Sequence, residues 1–206
     1  MFELFADATP NARKISIMLE EIQKPFKVTH IEIEKGDQFK DNFKKISPFS
    51  KIPVLKNTLT NQTYFESGAI LIYLAELSEN FYGQDKDLVN QWLMAQMAYV
   101  GPMLGQHHQF HHYQSGKSKF AEDRFYNITK FIYEMLDHHL EKNEFLAREY
   151  SIADIATFPW IARHPIHDIG LKNYSHLSRW YKMIKIRPTV LKGYDLFKDK
   201  SYPPEV

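Results

Sequence analysis

One stretch constrains the fold of this chain more than any other: Lys51-Ile52-Pro53-Val54-Leu55, followed closely by Tyr64-Phe65-Glu66-Ser67-Gly68-Ala69-Ile70. The first part predicts a short strand opened by an X-Pro bond. The second predicts a strand that runs into a helix, with Ile70, Leu71, Leu74 and Leu77 on one helical face. An acid and a hydroxyl, Glu66 and Ser67, stand at that junction. The first N–H groups of a helix have no partner within it, so the junction is a ready place for an anion, with Ser67 beside it. Glu66 adds an acceptor for an ammonium. One short segment can therefore hold both the carboxylate and the amine of an α-amino acid end group.

Upstream, Phe2 to Ala6 predicts a strand, and Thr9-Pro10-Asn11 predicts a helix start, with Thr as N-cap and Pro at the first helical position. Ile15, Met18, Leu19 and Ile22 follow at helical spacing until Lys24-Pro25, and Phe26 to Ile33 alternates in part as a second strand. Strand, helix and strand at these lengths imply a parallel βαβ unit. Phe39, Phe43 and Ile46 predict a short helix stopped by Ser47-Pro48. The strand from Lys51, a polar turn over Asn57 to Gln62 and a strand over Thr63 to Phe65 are spaced as an antiparallel hairpin. The order is βαβ, a short helix, then ββα.

Residues 1–79 are thus expected to form an α+β domain, residues 80–86 a polar linker and residues 87–206 an all-helical domain. In the latter, Asp87 to about His112 predicts one long helix. Lys117 to Lys142 predicts another, with Phe120, Phe125, Ile128, Ile132, Met135 and Leu136 as its buried side. Ser151-Ile152-Ala153-Asp154 is spaced as a capping box that opens a strongly apolar helix. Leu177, Trp180, Tyr181 and Ile184 predict a further helix, ended by Arg187-Pro188.

Composition narrows the function. A net charge of +1 leaves no basic face large enough for nucleic acid. The absence of cysteine excludes structural disulfides and Cys-based metal sites. Met1-Phe2-Glu3-Leu4 lacks the pattern of a signal peptide, and no apolar run approaches the roughly 20 residues of a membrane span, so a cytoplasmic protein is expected. His107/His111 and His108/His112 are i,i+4 pairs, but no His-Glu-x-x-His pattern or nearby carboxylate completes a site, and no metal is expected.

The order of elements resembles the glutathione transferase fold, a thioredoxin-like domain followed by a helical bundle. Lys51-Ile52-Pro53 is similar to the family's Val/Ile-Pro with a cis proline, Phe65-Glu66-Ser67-Gly68 to its Glu/Gln-Ser element, and Ser151-Ile152-Ala153-Asp154 to the capping box of its second domain. Lys35-Gly36-Asp37-Gln38-Phe39, Ile46-Ser47-Pro48 and Gly101-Pro102-Met103-Leu104-Gly105-Gln106 resemble the bacterial Nu class, and also the yeast nitrogen-regulator relative. The resemblance implies glutathione as co-substrate and a homodimer that takes two glutathione molecules, or glutathione disulfide, per site. It implies glutathione-dependent disulfide-bond reduction. Conjugation of glutathione to small electrophiles and a glutathione-binding regulatory module with little catalysis are the alternatives.

By the same resemblance, the backbone of Ile52, shaped by Pro53, pairs with the cysteinyl residue of glutathione, and Glu66 and Ser67 hold its γ-glutamyl end. Gln38 and Lys51 reach the glycyl carboxylate or nearby backbone, and Arg124 is an extra carboxylate ligand, within the subunit or across the dimer. His107, with Tyr99, Met103 and Gln106, is expected to line the open end of the substrate cleft or to face solvent. The family activates the sulfur with a Tyr, Ser or Cys just after the first strand. Here Ala6-Asp7-Ala8-Thr9-Pro10-Asn11 offers only the Thr9 hydroxyl and the Asn11 amide, and these are the expected catalytic groups. Both stand at a helix N-terminus, whose positive end favours a thiolate. The plainer reading of Thr9, and of Glu66-Ser67, is a helix cap. With no protein cysteine, thiol–disulfide exchange has to use glutathione sulfurs as both the attacking and the resolving groups.

Overall fold

A computed structural model of the protein describes residues 1–198 and 200–206. The described residues form two compact units, Met1–Tyr82 with Arg187–Tyr202, and Gly83–Ile186 with Pro203–Val206.

The first unit is built on a four-stranded sheet of order β2-β1-β3-β4. Strand β1 (Phe2–Ala6) lies parallel to β2 (Phe26–His30) and antiparallel to β3 (Val54–Asn57), which pairs antiparallel with β4 (Thr63–Phe65). Parallel pairing of β1 with β2 requires a crossover, and α1 (Pro10–Glu21) supplies it. Strand β2 ends at His30, short of the expected Ile33. Ile31 N–H still reaches the Ala6 carbonyl at 2.9 Å, but the next donors turn to side chains: Glu32 N–H goes to Asp37 Oδ2 at 3.1 Å and Ile33 N–H to Asp7 Oδ2 at 3.2 Å. A single-turn α2 (Asp41–Lys44) and the longer α3 (Ser67–Ser78) complete the α+β part.

One helix of this unit comes from far along the sequence. Residues 187–202 join it, and α9 (Pro188–Tyr194) crosses α1 at Gly193. A Cβ at Gly193 would lie 2.5 Å from the Ile17 Cα, so only glycine admits this approach. Ser16 Oγ donates to the Gly193 carbonyl at 2.5 Å, and Arg187 forks onto Glu21 at 2.7 and 3.0 Å.

The second unit is helical: α4 (Lys86–Ala95), α5 (Gly101–His107), α6 (Lys119–Lys142), α7 (Ile152–Ile161) and α8 (Ser175–Lys185). The long helix expected from Asp87 follows that path, but π-helical turns at Gln96–Val100 and His108–Tyr113 interrupt it. Such turns are rare and frequent at functional sites. Helix α6 buries Thr129, Ile132, Tyr133, Leu136 and Leu140. Of the expected face, Ile132 and Leu136 are buried and Phe125 and Ile128 half-buried, whereas Phe120 is 78% and Met135 46% exposed. The i,i+3,i+4 stripe that packs inward includes a threonine and a tyrosine, and Met135 falls one residue off it.

The capping box of α7 is present, and its acid does more than cap. Asp154, fully buried, accepts from the N–H groups of Ser151 and Leu146 at 3.1 and 3.0 Å and from Trp180 Nε1 at 2.8 Å. It thereby ties the start of α7 to α8. Among the described residues no helix is long and apolar enough to cross a membrane.

Candidate functional site

The register of the sheet brings three of the singled-out segments to one end. Phe5, at the end of β1, pairs with Val54, at the start of β3, and Val54 pairs with Phe65, at the end of β4. Neighbouring strands lie about 4.8 Å apart, so the three chain segments leave the sheet within about 10 Å of each other. They are the Thr9–Asn11 turn, the Lys51–Pro53 approach and the Glu66–Ser67 junction.

At that junction Glu66 has φ 65° and ψ 114°. A residue with a Cβ pays roughly 1–3 kcal/mol for such a backbone, and strain of this kind clusters where ligands are held. Glu66 occupies the N-cap position of α3, but its exposed carboxylate makes no capping bond. Ser67, the next residue, is buried, and its Oγ lies 3.4 Å from Lys14 Nζ. Lys14 is fully enclosed. Burial pushes its ammonium down to about 7, against the pull of the Glu66 carboxylate. Nothing in the sequence singled out Lys14, because a lysine in an amphipathic helix is ordinarily on the wet face.

The Ile52–Pro53 peptide is cis. Ile52 is half-buried and packs with Phe5 against Ile31, Phe43 and Val54, while Lys51 is exposed. Ser47 holds this turn. Its buried hydroxyl donates to the Lys51 carbonyl at 2.7 Å and accepts from the Lys51 N–H at 3.0 Å. Sequence reasoning takes Ser47-Pro48 as a helix stop and Ile46-Ser47-Pro48 as a family-like motif, and gives the Ser47 hydroxyl no role. Ser47→Ala removes both bonds and is expected to cost about 1–3 kcal/mol of stability. The Km for glutathione should rise several-fold and kcat change less, as steady-state kinetics with glutathione varied would record. Gln38 donates from Nε2 to the Ile33 carbonyl at 3.1 Å, and its Oε1 is buried with no donor among the described residues.

Thr9 is the N-cap of α1, its Oγ1 accepting from the Ala12 N–H at 3.4 Å. A hydroxyl that accepts in this way keeps its own hydrogen to donate. Asn11 sits in the first turn of the same helix, partly exposed. Asp7 fixes the preceding loop by accepting from Ala8 N–H at 2.7 Å, from Ile33 N–H and from His30. Burial works against its ionisation, but these bonds hold its carboxyl below the usual range.

In the second unit Arg124, Tyr99 and Gln106 are exposed and Met103 is half-buried. His107, expected at a cleft, is fully enclosed, its ring stacked on His111 at 4.7 Å. Its neighbour His108 shares a proton position with His167 (Nε2 to Nε2, 2.7 Å), and His167 Nδ1 lies 2.6 Å from the Tyr133 hydroxyl. Burial pushes His107 down to about 4 and His108 to about 3, and takes His167 well below the ordinary range. These rings are neutral at neutral pH. Among the described residues no group of three or more His, Asp or Glu side chains is arranged to hold a metal ion.

Comparison with known proteins agrees with the fold. The family model for the glutathione S-transferase N-terminal domain matches residues 8–77, and that for the C-terminal domain matches residues 107–188. The disulfide-bond oxidoreductase YfcG of Escherichia coli K12 is 36% identical over 197 residues, 91% of this chain and 92% of the relative. The disulfide-bond oxidoreductase YghU of the same organism is 34% identical over 213 residues, 93% and 73% of the two chains. Among solved structures, a glutathione transferase from Pseudomonas putida with one glutathione disulfide bound per subunit superposes with a TM-score of 0.89. It is 36% identical, and the match covers 95% of this chain and 91% of that one. A family member from Pseudomonas fluorescens with two glutathione bound gives 0.85 at 36% identity, covering 94% and 92%.

Proposed function

The chain belongs to the glutathione S-transferase family, and from that premise we propose that it is a glutathione-dependent disulfide-bond reductase of the Nu-class type. One observation carries the reading: a chain without cysteine is 36% identical, over nine-tenths of its length, to a relative named as a disulfide-bond oxidoreductase. The reductant is then the ligand's thiol. One glutathione thiolate attacks a sulfur of the substrate disulfide, forming a mixed disulfide and releasing one substrate thiolate, which takes up a proton. A second glutathione thiolate attacks the glutathione sulfur of that mixed disulfide. It releases the other substrate thiol and leaves glutathione disulfide. Two glutathione molecules are oxidised and one disulfide is reduced.

The protein's part is positioning and charge. Glu66 takes the ammonium and Ser67 the carboxylate of the γ-glutamyl end. The Ile52 backbone, presented by Pro53, pairs with the cysteinyl residue. Lys51 reaches the glycyl carboxylate from its exposed position, with Gln38 beside that end and Arg124 as a further carboxylate ligand. Thr9 and Asn11 donate to the sulfur. Tyr99 and Gln106 offer exposed surface for the substrate, and Met103 a half-buried one. Phe131 and Met135, one turn apart on α6, are 48% and 46% exposed, and a homodimer would cover that strip. The expected workplace is the cytoplasm, where glutathione is kept reduced.

Purified protein assayed with glutathione and hydroxyethyl disulfide, beside an aryl halide, tests the reading. Strong disulfide turnover with weak conjugation is the expected result, and the reverse ranking would make the protein a conjugating transferase. Thr9→Ala and Asn11→Ala should each raise the pKa of the bound thiol toward its free value near 8.5. Each pH unit of that rise is about 1.4 kcal/mol of lost thiolate stabilisation. Ultraviolet titration of bound glutathione measures it, and an unmoved pKa in both variants would remove these residues from the chemistry.

A further inference from the structure

We propose that Lys14 is the positioning residue of γ-glutamyl recognition: from beneath the β4–α3 junction it fixes the Ser67 hydroxyl as a donor and supplies the positive charge that the ligand's α-carboxylate meets. This rests on the reading that Glu66 and Ser67 hold that end of glutathione. Three observations carry it. Lys14 exposes no surface, and its Nζ lies 3.4 Å from Ser67 Oγ across 53 residues of sequence. Burying an ammonium is costly unless charge and hydrogen bonds meet it, and the Glu66 carboxylate acts on this one. The two residues beside it, Glu66 strained and exposed and Ser67 buried, stand at the open N-terminus of a twelve-residue helix.

The chemistry of the contact sets its direction. An ammonium has three donors and no acceptor, so Ser67 Oγ accepts from it and the serine's own hydrogen points elsewhere. The first turn of α3 aims its N–H groups and positive end the same way. With Lys14 behind it, this corner presents donors and positive charge to a carboxylate. Glu66, on the rim, presents negative charge to the adjacent ammonium. The pair is matched to the two charges of a zwitterionic amino acid end group, and Lys14 is the half that the sequence hides.

In the free protein burial leaves Lys14 poised near neutrality, with its ammonium down at about 7. A carboxylate arriving above Ser67 favours the charged form, so binding above that pH should take up a proton. Calorimetric titration with S-methylglutathione, whose sulfur cannot ionise, in two pH 8 buffers of different ionisation enthalpy reads this directly. Wild type is expected to take up about half a proton or more per site beyond Lys14→Met. The second probe is the analogue whose γ-glutamyl α-carboxylate is an amide. Wild type should prefer the carboxylate roughly tenfold or more, as a charged hydrogen bond would give, and Lys14→Met should lose the preference.

Equal proton uptake in the two proteins, or a preference undiminished in Lys14→Met, overturns the proposal while leaving the glutathione site intact. Equal weakening of both probes would mark Lys14 as a packing residue and overturn it too. If Lys14→Met fails to fold, absence of proton uptake in wild type alone is enough to refute it. If wild type binds neither probe, the site reading itself falls and takes this one with it.

Discussion

Acidification from pH 8 to pH 5 is expected to cost the helical unit on the order of 2–4 kcal/mol of stability. The cause is the enclosed imidazole cluster. An unfolded histidine binds its proton near pH 6.5, whereas His108 is pushed down to about 3 by burial, with the Arg163 charge adding to it. Its contribution is fully present above 6.5 and is lost as pH falls toward the folded value. At pH 5 that loss is about 2 kcal/mol. His107, down at about 4 through burial and the neighbouring His111, loses in the same direction. His167, also held well below its ordinary range by burial, adds to both.

Asp154 opposes them. Burial raises its carboxyl to about 6, against its hydrogen bonds. A carboxyl raised in this way contributes stability present below the unfolded value near 3.9 and lost as pH rises through 6. Acidification to pH 5 therefore restores about 1 kcal/mol. The histidines win because there are three of them and their shifts are larger. All three tryptophans, Trp92, Trp160 and Trp180, belong to this unit, so their fluorescence during urea unfolding reports it alone. The midpoint should fall steadily between pH 7 and 5, and His108→Gln should flatten that slope by up to about 2 kcal/mol. A midpoint unchanged from pH 8 to 5 would contradict the neutral-cluster description.

The same cluster shows where sequence reasoning ended. The four histidines of residues 107–112 stood out by spacing, and their i,i+4 pairs raised and then lost a metal reading. What they do depends on His167 and Tyr133, 59 and 25 residues from His108, and no local pattern announces those partners. The elements that carry local signals were legible: Thr9-Pro10 as a helix start, the hairpin on either side of Asn57–Gln62, the Ser151/Asp154 box. Elements whose reasons are tertiary were not. The face of α6 was assigned by residue type, and the inward stripe took Thr129 and Tyr133 in place of Phe120 and Met135. The return of residues 187–202 to the first unit depends on a glycine that meets α1, and a lone Gly193 carries no such message. At the candidate site, the residues meant to touch ligand had recognisable neighbours. Ser47 and Lys14 stand behind them: Ser47 carried the signals of a helix stop and a family-like motif, and nothing in the sequence marked Lys14.

Ser67→Ala should weaken glutathione binding roughly 10- to 100-fold, the worth of about 1.5–3 kcal/mol of hydrogen bond to a charged group. On the proposed roles the loss falls on Km. Ser67 touches the γ-glutamyl end in ground state and transition state alike, so it contributes uniform binding and leaves kcat at saturating glutathione little changed. Thr9→Ala and Asn11→Ala should show the opposite split. Glu66 makes a sharper test, because binding and folding pull on it in opposite directions. Its backbone at φ 65° suits glycine and strains glutamate. Glu66→Gly relieves roughly 1–3 kcal/mol of strain and gives back up to about 1 kcal/mol through the more flexible unfolded chain. The variant should unfold at a higher urea concentration than wild type while it loses the ammonium acceptor and binds glutathione about tenfold more weakly. If Glu66→Gly were both less stable and equally good at binding, Glu66 would be a structural residue. A stronger fold with a weaker site would show that this corner keeps a strained residue because the ligand needs it.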